Sequence, residues 1–310
     1  MHIKSFLTTD KEFYSSLLKL SLPMALQYLL SFLIALTNSV SIGRIGKEAT
    51  AEAYIGTLIF TVLQMLLTGI ESGITVAASR YWGENDKYTV ERITSFGVAI
   101  SLLLGIASAL VSILFPSVFI SLFIKDGSSS GGAEYLRLLA FSFPFFCLSG
   151  AFGSMMKSIE SPKITAFASL GAFLINLVFN VALVGGKFGF SSLGITGSAI
   201  ATIIARISEL IIILIYVFLI DKKIKLKPRD LFKYDKSTSF NFIKYTSPIV
   251  LGQIVWIINT LFSSYLLSEK DSVDVVAGLA IASTFSTTRA AYSAFSGSPV
   301  ILRAPSLKIT

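Results

Sequence analysis

Lys19-Leu-Ser-Leu-Pro23 and Lys244-Tyr-Thr-Ser-Pro248 each open a long apolar stretch, and this pair decides the reading of the fold. Both stretches break at a polar loop, Gly43 to Glu52 in the first and Ser268 to Asp274 in the second. Both then resume as a small-residue apolar segment, where Tyr54-Ile-Gly-Thr57 answers Ala280-Ile-Ala-Ser283. Six apolar segments lie between the two starts, so both starts enter a membrane from the same side. Parallel repeats of this kind build transporters whose halves are related by an axis along the membrane normal. About two segments of the second copy are present.

The composition requires a membrane. The chain of 310 residues is 53% hydrophobic and 14% charged, with mean hydropathy +0.75. Soluble domains carry roughly 25% charge. A hydrocarbon core about 30 Å thick takes roughly 20 apolar residues per helix. Windows of that length run from Lys19 to Arg44, Glu52 to Arg80 (broken at Glu71), Arg92 to Lys125 and Arg137 to Lys157. They continue from Lys163 to Lys187, Lys187 to Asp221 (broken at Arg206 and Glu209) and Lys244 to Glu269. These predict seven helices in an all-α polytopic bundle, with no alternating pattern for barrel strands. An eighth window starts at Asp274 and meets Arg289, which would cost roughly 2.5–3.5 kcal/mol at mid-membrane. The predicted organisation is a six-helix lobe over 1–220, a basic linker over 221–242, and an incomplete second lobe over 243–310. A tail altered by a frameshift, a split gene and plain divergence all fit the last residues.

Net charge is +8, and its placement argues against nucleic acid as its cause. Loops on one side hold Arg80, Lys87, Arg92, Lys157, Lys163 and the run from Lys222 to Lys244. Those on the other hold only Arg44, Lys47, Lys125, Arg137, Lys187 and Lys270. The positive-inside rule then predicts a multi-pass cell-membrane protein with a cytoplasmic N-terminus. Asp221-Lys-Lys-Ile-Lys-Leu-Lys-Pro-Arg-Asp230 reads as an orientation signal, with contact to anionic lipid headgroups as the sharper alternative. No signal peptide is expected at the N-terminus. Cys147 is expected to pack and not to react.

His2 is the single histidine, which excludes an imidazole-based zinc site or triad from the membrane segments. No glycine phrase ends in the Gly-Lys-Ser/Thr of a phosphate loop. The reading is a protein that is no enzyme, with no catalytic residues, no cofactor and no resident metal.

Several phrases, in order, resemble the MATE family of multidrug and toxin extrusion transporters. Asn38-Ser-Val-Ser-Ile-Gly-Arg-Ile-Gly46 stands where the family usually reads Asp-Thr-x-x-x-Gly-x-x-Gly. Ser79-Arg-Tyr-Trp-Gly-Glu-Asn-Asp86 and Asn176-Leu-Val-Phe-Asn180 match its second-helix exit and fifth helix. Phe188-Gly-Phe followed by Leu193-Gly-Ile, Gly197-Ser-Ala-Ile-Ala-Thr202, Ala205-Arg206 and Glu209 is the most specific match. The resemblance implies two six-helix lobes that alternate between inward- and outward-facing states. It further implies export of cationic or amphipathic compounds in exchange for Na⁺ or H⁺. The runner-up readings are a flippase for lipid-linked oligosaccharide from the same superfamily and a non-transporting remnant or split half that needs a partner chain. The flippase should have a more basic cavity; Arg206 is the one clear intramembrane cation before the tail in the sequence. By itself the chain is expected not to export, since one wall of the cavity is missing.

Candidate pathway residues follow from polarity inside apolar windows. Asn176 and Asn180 stand four apart on one helix face and could offer carbonyl oxygens to Na⁺ or bond to a neighbouring helix. Asn38 occupies the family's carboxylate position and, as an amide, disfavours a proton cycle there. Glu71 is the acid of the second span and a candidate for proton or ion coupling, unless it reaches headgroup water. Thr202, Arg206 and Glu209 share one face, with Arg206 and Glu209 either a neutral structural pair or a protonation switch. Gln27, Tyr28, Gln64 and Met155 are candidates to line the cargo cavity.

Overall fold

The computed structural model describes residues 11–121 and 130–268, apart from 225, 227, 232 and 234. The eighth window, Arg289 and the tail lie outside the described residues. Among those described, all regular structure is helical. Among the described residues six helices are long and apolar enough to cross a membrane, and a bent pair makes a seventh if its two halves form one span. Counted so, the total equals the seven spans expected.

In chain order the helices are α1 (Lys11–Gly43), α2 (Lys47–Gly83), α3 (Lys87–Leu114), α4 (Pro116–Ser121) and α5 (Ser130–Ala140). They continue as α6 (Phe143–Ser158), α7 (Lys163–Leu183), α8 (Gly194–Ile215) and α9 (Lys236–Ser268). One end of the bundle carries the loops with Lys87, Lys163, Lys222 and Lys223 and is called the basic end below. The other, far end carries the turns after Gly43 and Leu183.

Local chemistry sets the boundaries. Asp86 caps α3: its carboxylate accepts from the Thr89 N–H at 3.0 Å and the Thr89 hydroxyl at 2.5 Å. These bonds, hydroxyl first, hold the Asp86 carboxyl below its ordinary value. Phe115 ends α3 and Pro116 starts α4, since the residue before a proline is disfavoured in helical conformation. Pro144 sits in the first turn of α6, where its missing N–H costs nothing, and α5 and α6 meet there at 40°. Ser130-Gly-Gly132 forms the start of α5.

At the core, α2 packs on α3, α5, α6 and α9, while α1 packs on α7 and α7 on α8. Ile74, Phe152, Met155, Met156, Val90 and Val217 fill the centre towards the basic end. Met155 belongs to this packing and is fully buried, so it does not line a cavity as expected. Cys147 is buried beside Phe143 and Leu139, in keeping with a packing role.

Helix α9 lies antiparallel along α2. The Tyr54 and Ser264 hydroxyls bond at 3.0 Å near one end, and Arg80 donates to the Tyr245 hydroxyl at 3.4 Å near the other. Between them the backbone of α2 is bare. A methyl group on Gly69 would come within 2.8 Å of Val250 Cγ2, and one on Gly73 would strike the Thr246 hydroxyl. Without a hydrophobic drive between helices in lipid, such close approach supplies the attraction.

The connection from α8 to α9 is fastened down. Helix α8 ends in a π-turn, Tyr216–Ile220, closed by the Asp221 N–H to the Tyr216 carbonyl at 2.8 Å. The Asp221 carboxylate accepts from the N–H groups of Lys223 and Ile224. Lys223 Nζ donates to the Ile159 carbonyl and the Ser161 hydroxyl, each at 2.7 Å, past the end of α6. Ile224 and Leu226 are buried in the core, and Arg92 donates to the Lys233 carbonyl at 2.6 Å. Helix α9 begins at Lys236, inside the stretch read as linker, and Phe242 packs edge-on against Phe96.

Candidate functional site

Two sets of polar side chains meet inside the bundle, at different depths. The first lies within about two turns of the far end. Here α1 supplies Asn38, α7 supplies Asn176 and Asn180, and α8 supplies Thr202. Asn180 Nδ2 donates to Asn38 Oδ1 at 2.8 Å and to Asn176 Oδ1 at 3.1 Å. Asn38 Nδ2 donates to the Thr202 hydroxyl at 3.1 Å, which donates to the Ser198 carbonyl at 3.0 Å. The four residues therefore form a chain across three helices. Asn176 and Asn180 are wholly buried and Thr202 nearly so.

This set is not closed. Asn180 Oδ1, Asn176 Nδ2 and the Ser198 hydroxyl are buried without a hydrogen-bond partner. An unmet buried polar group costs about 1–3 kcal/mol, which makes the position one that a ligand can improve. Asn180 Oδ1 fits a hard cation. The side-chain oxygens of Asn38, Asn176 and Thr202 each accept from an amide N–H of the same chain. Which amide atom is oxygen and which nitrogen follows from the bonding pattern.

The second set lies three to four turns from the basic end and is charged. Arg206 Nη1 donates to Glu209 Oε2 at 2.8 Å, as the spacing of three on one helix predicted. The Ser169 hydroxyl of α7 donates to Glu209 Oε1 at 2.7 Å. The Arg206 guanidinium lies 4.7 Å from the centre of the Phe146 ring and 6.0 Å from that of Phe60. That cation–π contact takes the place of water around a side chain that is only 7% exposed. Arg206 Nε is nevertheless left without a partner.

Glu71 belongs to this set. It does not reach out beyond the helix ends: its carboxylate lies over the backbone of Gly150 on α6, where a methyl group would strike Oε1. Its charged neighbours are Lys157 and Glu209. Lys157 in turn faces Glu71 and Glu209 and stacks on the Tyr28 ring of α1 at 5.5 Å. Two acidic and two basic side chains thus share this layer.

Lys157 is the member of this charged set that sequence reasoning missed. It closes an apolar window, so it counted as a loop cation; only packing shows that it turns back from the last turn of α6. Tyr28 was named for cargo and instead covers Lys157. Gln27 is partly buried on α1 with its Oε1 unpartnered, and Gln64 is partly buried on α2. Neither bonds to the two sets. Among the described residues no cluster of His, Cys, Asp and Glu could hold a metal ion.

Known proteins share this architecture. The MatE family profile matches residues 23–182, just over half of the chain. The chain is 31% identical over 192 residues to the probable multidrug resistance protein NorM of Burkholderia mallei, covering 60% of this chain and 40% of that protein. Against the probable multidrug resistance protein NorM of Synechocystis it is 27% identical over 241 residues, covering 77% and 50%. The chain spans about half or less of the length of these relatives. Among solved structures, MATE in a bent conformation superposes with TM-score 0.70 at 17% identity, over 92% of this chain and 66% of that one. An outward-facing multidrug resistance MATE family transporter gives 0.69 at 18%, over 96% and 69%. At such identity these likenesses speak for the fold. With helix order and family profile in agreement, this chain belongs to the MatE family of membrane transporters, which are not enzymes.

Proposed function

We propose that this chain forms the ion-binding lobe of a secondary exporter that moves cationic or amphipathic compounds in exchange for Na⁺, with its N-terminus in the cytoplasm. Residues 1–220 are the lobe, 221–242 its linker and 243–310 the start of the second lobe. The observation that carries the proposal is the buried amide chain Asn180–Asn38–Thr202 with an unmet oxygen at Asn180. Neutral amides offer oxygen to Na⁺ without holding a proton near neutral pH. Drug-like cargo is supported by the names of the NorM relatives and by the balance of Glu71 and Glu209 against Lys157 and Arg206. That balance gives an anionic lipid-linked sugar no net positive lobe interior.

A second reading, H⁺ exchange through the charged set, is favoured by one observation. Glu71 and Glu209, two acids inside the apolar spans, are charged neighbours in one buried layer. The test is the thermal stability of the purified chain in Na⁺, K⁺ or choline at equal ionic strength. Stabilisation specific to Na⁺ and absent in Asn180→Ala supports the amide site. No such stabilisation, or its survival in that variant, refutes it. Export by a protein carrying both complete lobes, under separately imposed Na⁺ and proton gradients, separates the two readings.

A further inference from the structure

A cavity of about 590 Å³ opens at the basic end between α1, the α6–α7 connection and the π-turn of α8, away from both polar sets. Its lining splits by chemistry. Lys19, Lys163, Ser161 and Glu160 supply the polar part, and Leu20, Ile164 and Phe167 the apolar part. Lys19 and Lys163 are exposed, on different helices, with no ion pair to an acid among the described residues. Lys223 Nζ closes the rim through its bond to the Ser161 hydroxyl. Phe167 stands 65% exposed on α7, one turn further from the helix end than Lys163. Tyr216 reaches this space from the π-turn, and such turns recur at functional positions.

Two cations at the basic end, Lys163 opening α7 and Lys19 about two turns into α1, stand beside an apolar wall and match the two parts of one molecule: a negative headgroup and acyl chains. Basic pockets between transmembrane helices on the positive side hold anionic lipid heads by this arrangement. We propose that this cavity binds one anionic glycerophospholipid from the adjoining leaflet. Its phosphate lies between the Lys19 and Lys163 ammonium groups and its chains run along Leu20, Ile164 and Phe167. The site lies between α1 and α7, so the lipid ties together the two helices that carry Asn38 and Asn180.

The experiment is native mass spectrometry of the full chain released from detergent with phosphatidylglycerol, phosphatidylcholine or soluble glycerol 3-phosphate. One retained phosphatidylglycerol is expected, with phosphatidylcholine and glycerol 3-phosphate lost under the same conditions. Lys19→Gln and Lys163→Gln should each weaken retention about fivefold, and the double variant about thirtyfold. Lys19→Arg with Lys163→Arg should retain the lipid, and Lys187→Gln, an equal charge loss in an exposed loop at the far end, should change nothing. Equal retention of phosphatidylcholine, retention of glycerol 3-phosphate alone, full binding by the double Gln variant, or an equal loss in Lys187→Gln would each overturn the proposal.

Discussion

The lobe holds two polar layers built on opposite terms. Near the far end, three amides and a threonine share donors and acceptors with no formal charge, and buried atoms are left unmet. Nearer the basic end, two carboxylates, a guanidinium and an ammonium sit among phenylalanine and tyrosine rings. In hydrocarbon the first arrangement is cheap to open, because each interhelical amide bond is worth only about 0.6–2 kcal/mol. The second is not, since separating a buried ion pair strands a charge. One layer can be opened at little cost, and the other resists opening.

The largest test falls on the charged layer. Arg206→Met leaves Glu209 buried without its cation and should lower stability by about 3–5 kcal/mol. Arg206→Met with Glu209→Leu should recover most of that loss, as read by thermal unfolding in detergent. Failure of the double variant to recover would mean that the pair does more than neutralise itself. Next comes Gly150→Ala, whose methyl group would strike Glu71 and Leu67. Overpacking of this kind costs about 1–3 kcal/mol. It should disturb Glu71 while leaving Na⁺-specific stabilisation intact; loss of both would merge the two layers into one unit.

For the amide layer, Asn38→Ala should cost about 0.6–2 kcal/mol in stability and abolish the response to Na⁺. Asn38→Asp should keep the response and make it fade as pH falls, because the proton then competes for the same oxygen. The smallest effect lies outside both layers and calibrates any pH series. Asp86 has its carboxyl held below the ordinary value of 3.8 by the Thr89 bonds. Its contribution is therefore complete above 3.8 and fades as pH falls through the lower folded value. Asp86→Asn should cost no more than about 1 kcal/mol and remove that acid-side slope.

The spans and the resemblance were legible because apolar run length and local phrases need no tertiary knowledge. So was the Arg206–Glu209 pair, three residues apart on one helix. The amide layer was half legible: the spacing of Asn176 and Asn180 put them on one face, but Asn38 was named singly and Thr202 was grouped with Arg206 and Glu209, whereas it bonds to Asn38. Their meeting depends on how α1 and α8 pack on α7, which no local pattern states. Lys157 was hidden by its place at the edge of a window. Ile224 and Leu226 were visible in principle, as the apolar alternates in Lys223-Ile-Lys-Leu-Lys227, but the lysines dominated the reading. Their burial shows that the run is more than an address for membrane orientation.

A free coil as long as the stretch from Asp221 to Lys236 would let its ends drift about 20 Å apart. Here Lys223, the buried pair Ile224 and Leu226, and the Arg92–Lys233 bond take up that slack. Helix α9 is therefore a passenger of the lobe that precedes it, despite belonging by sequence to the repeat that follows. A tag or protease site placed between Asp221 and Lys236 would unmoor it.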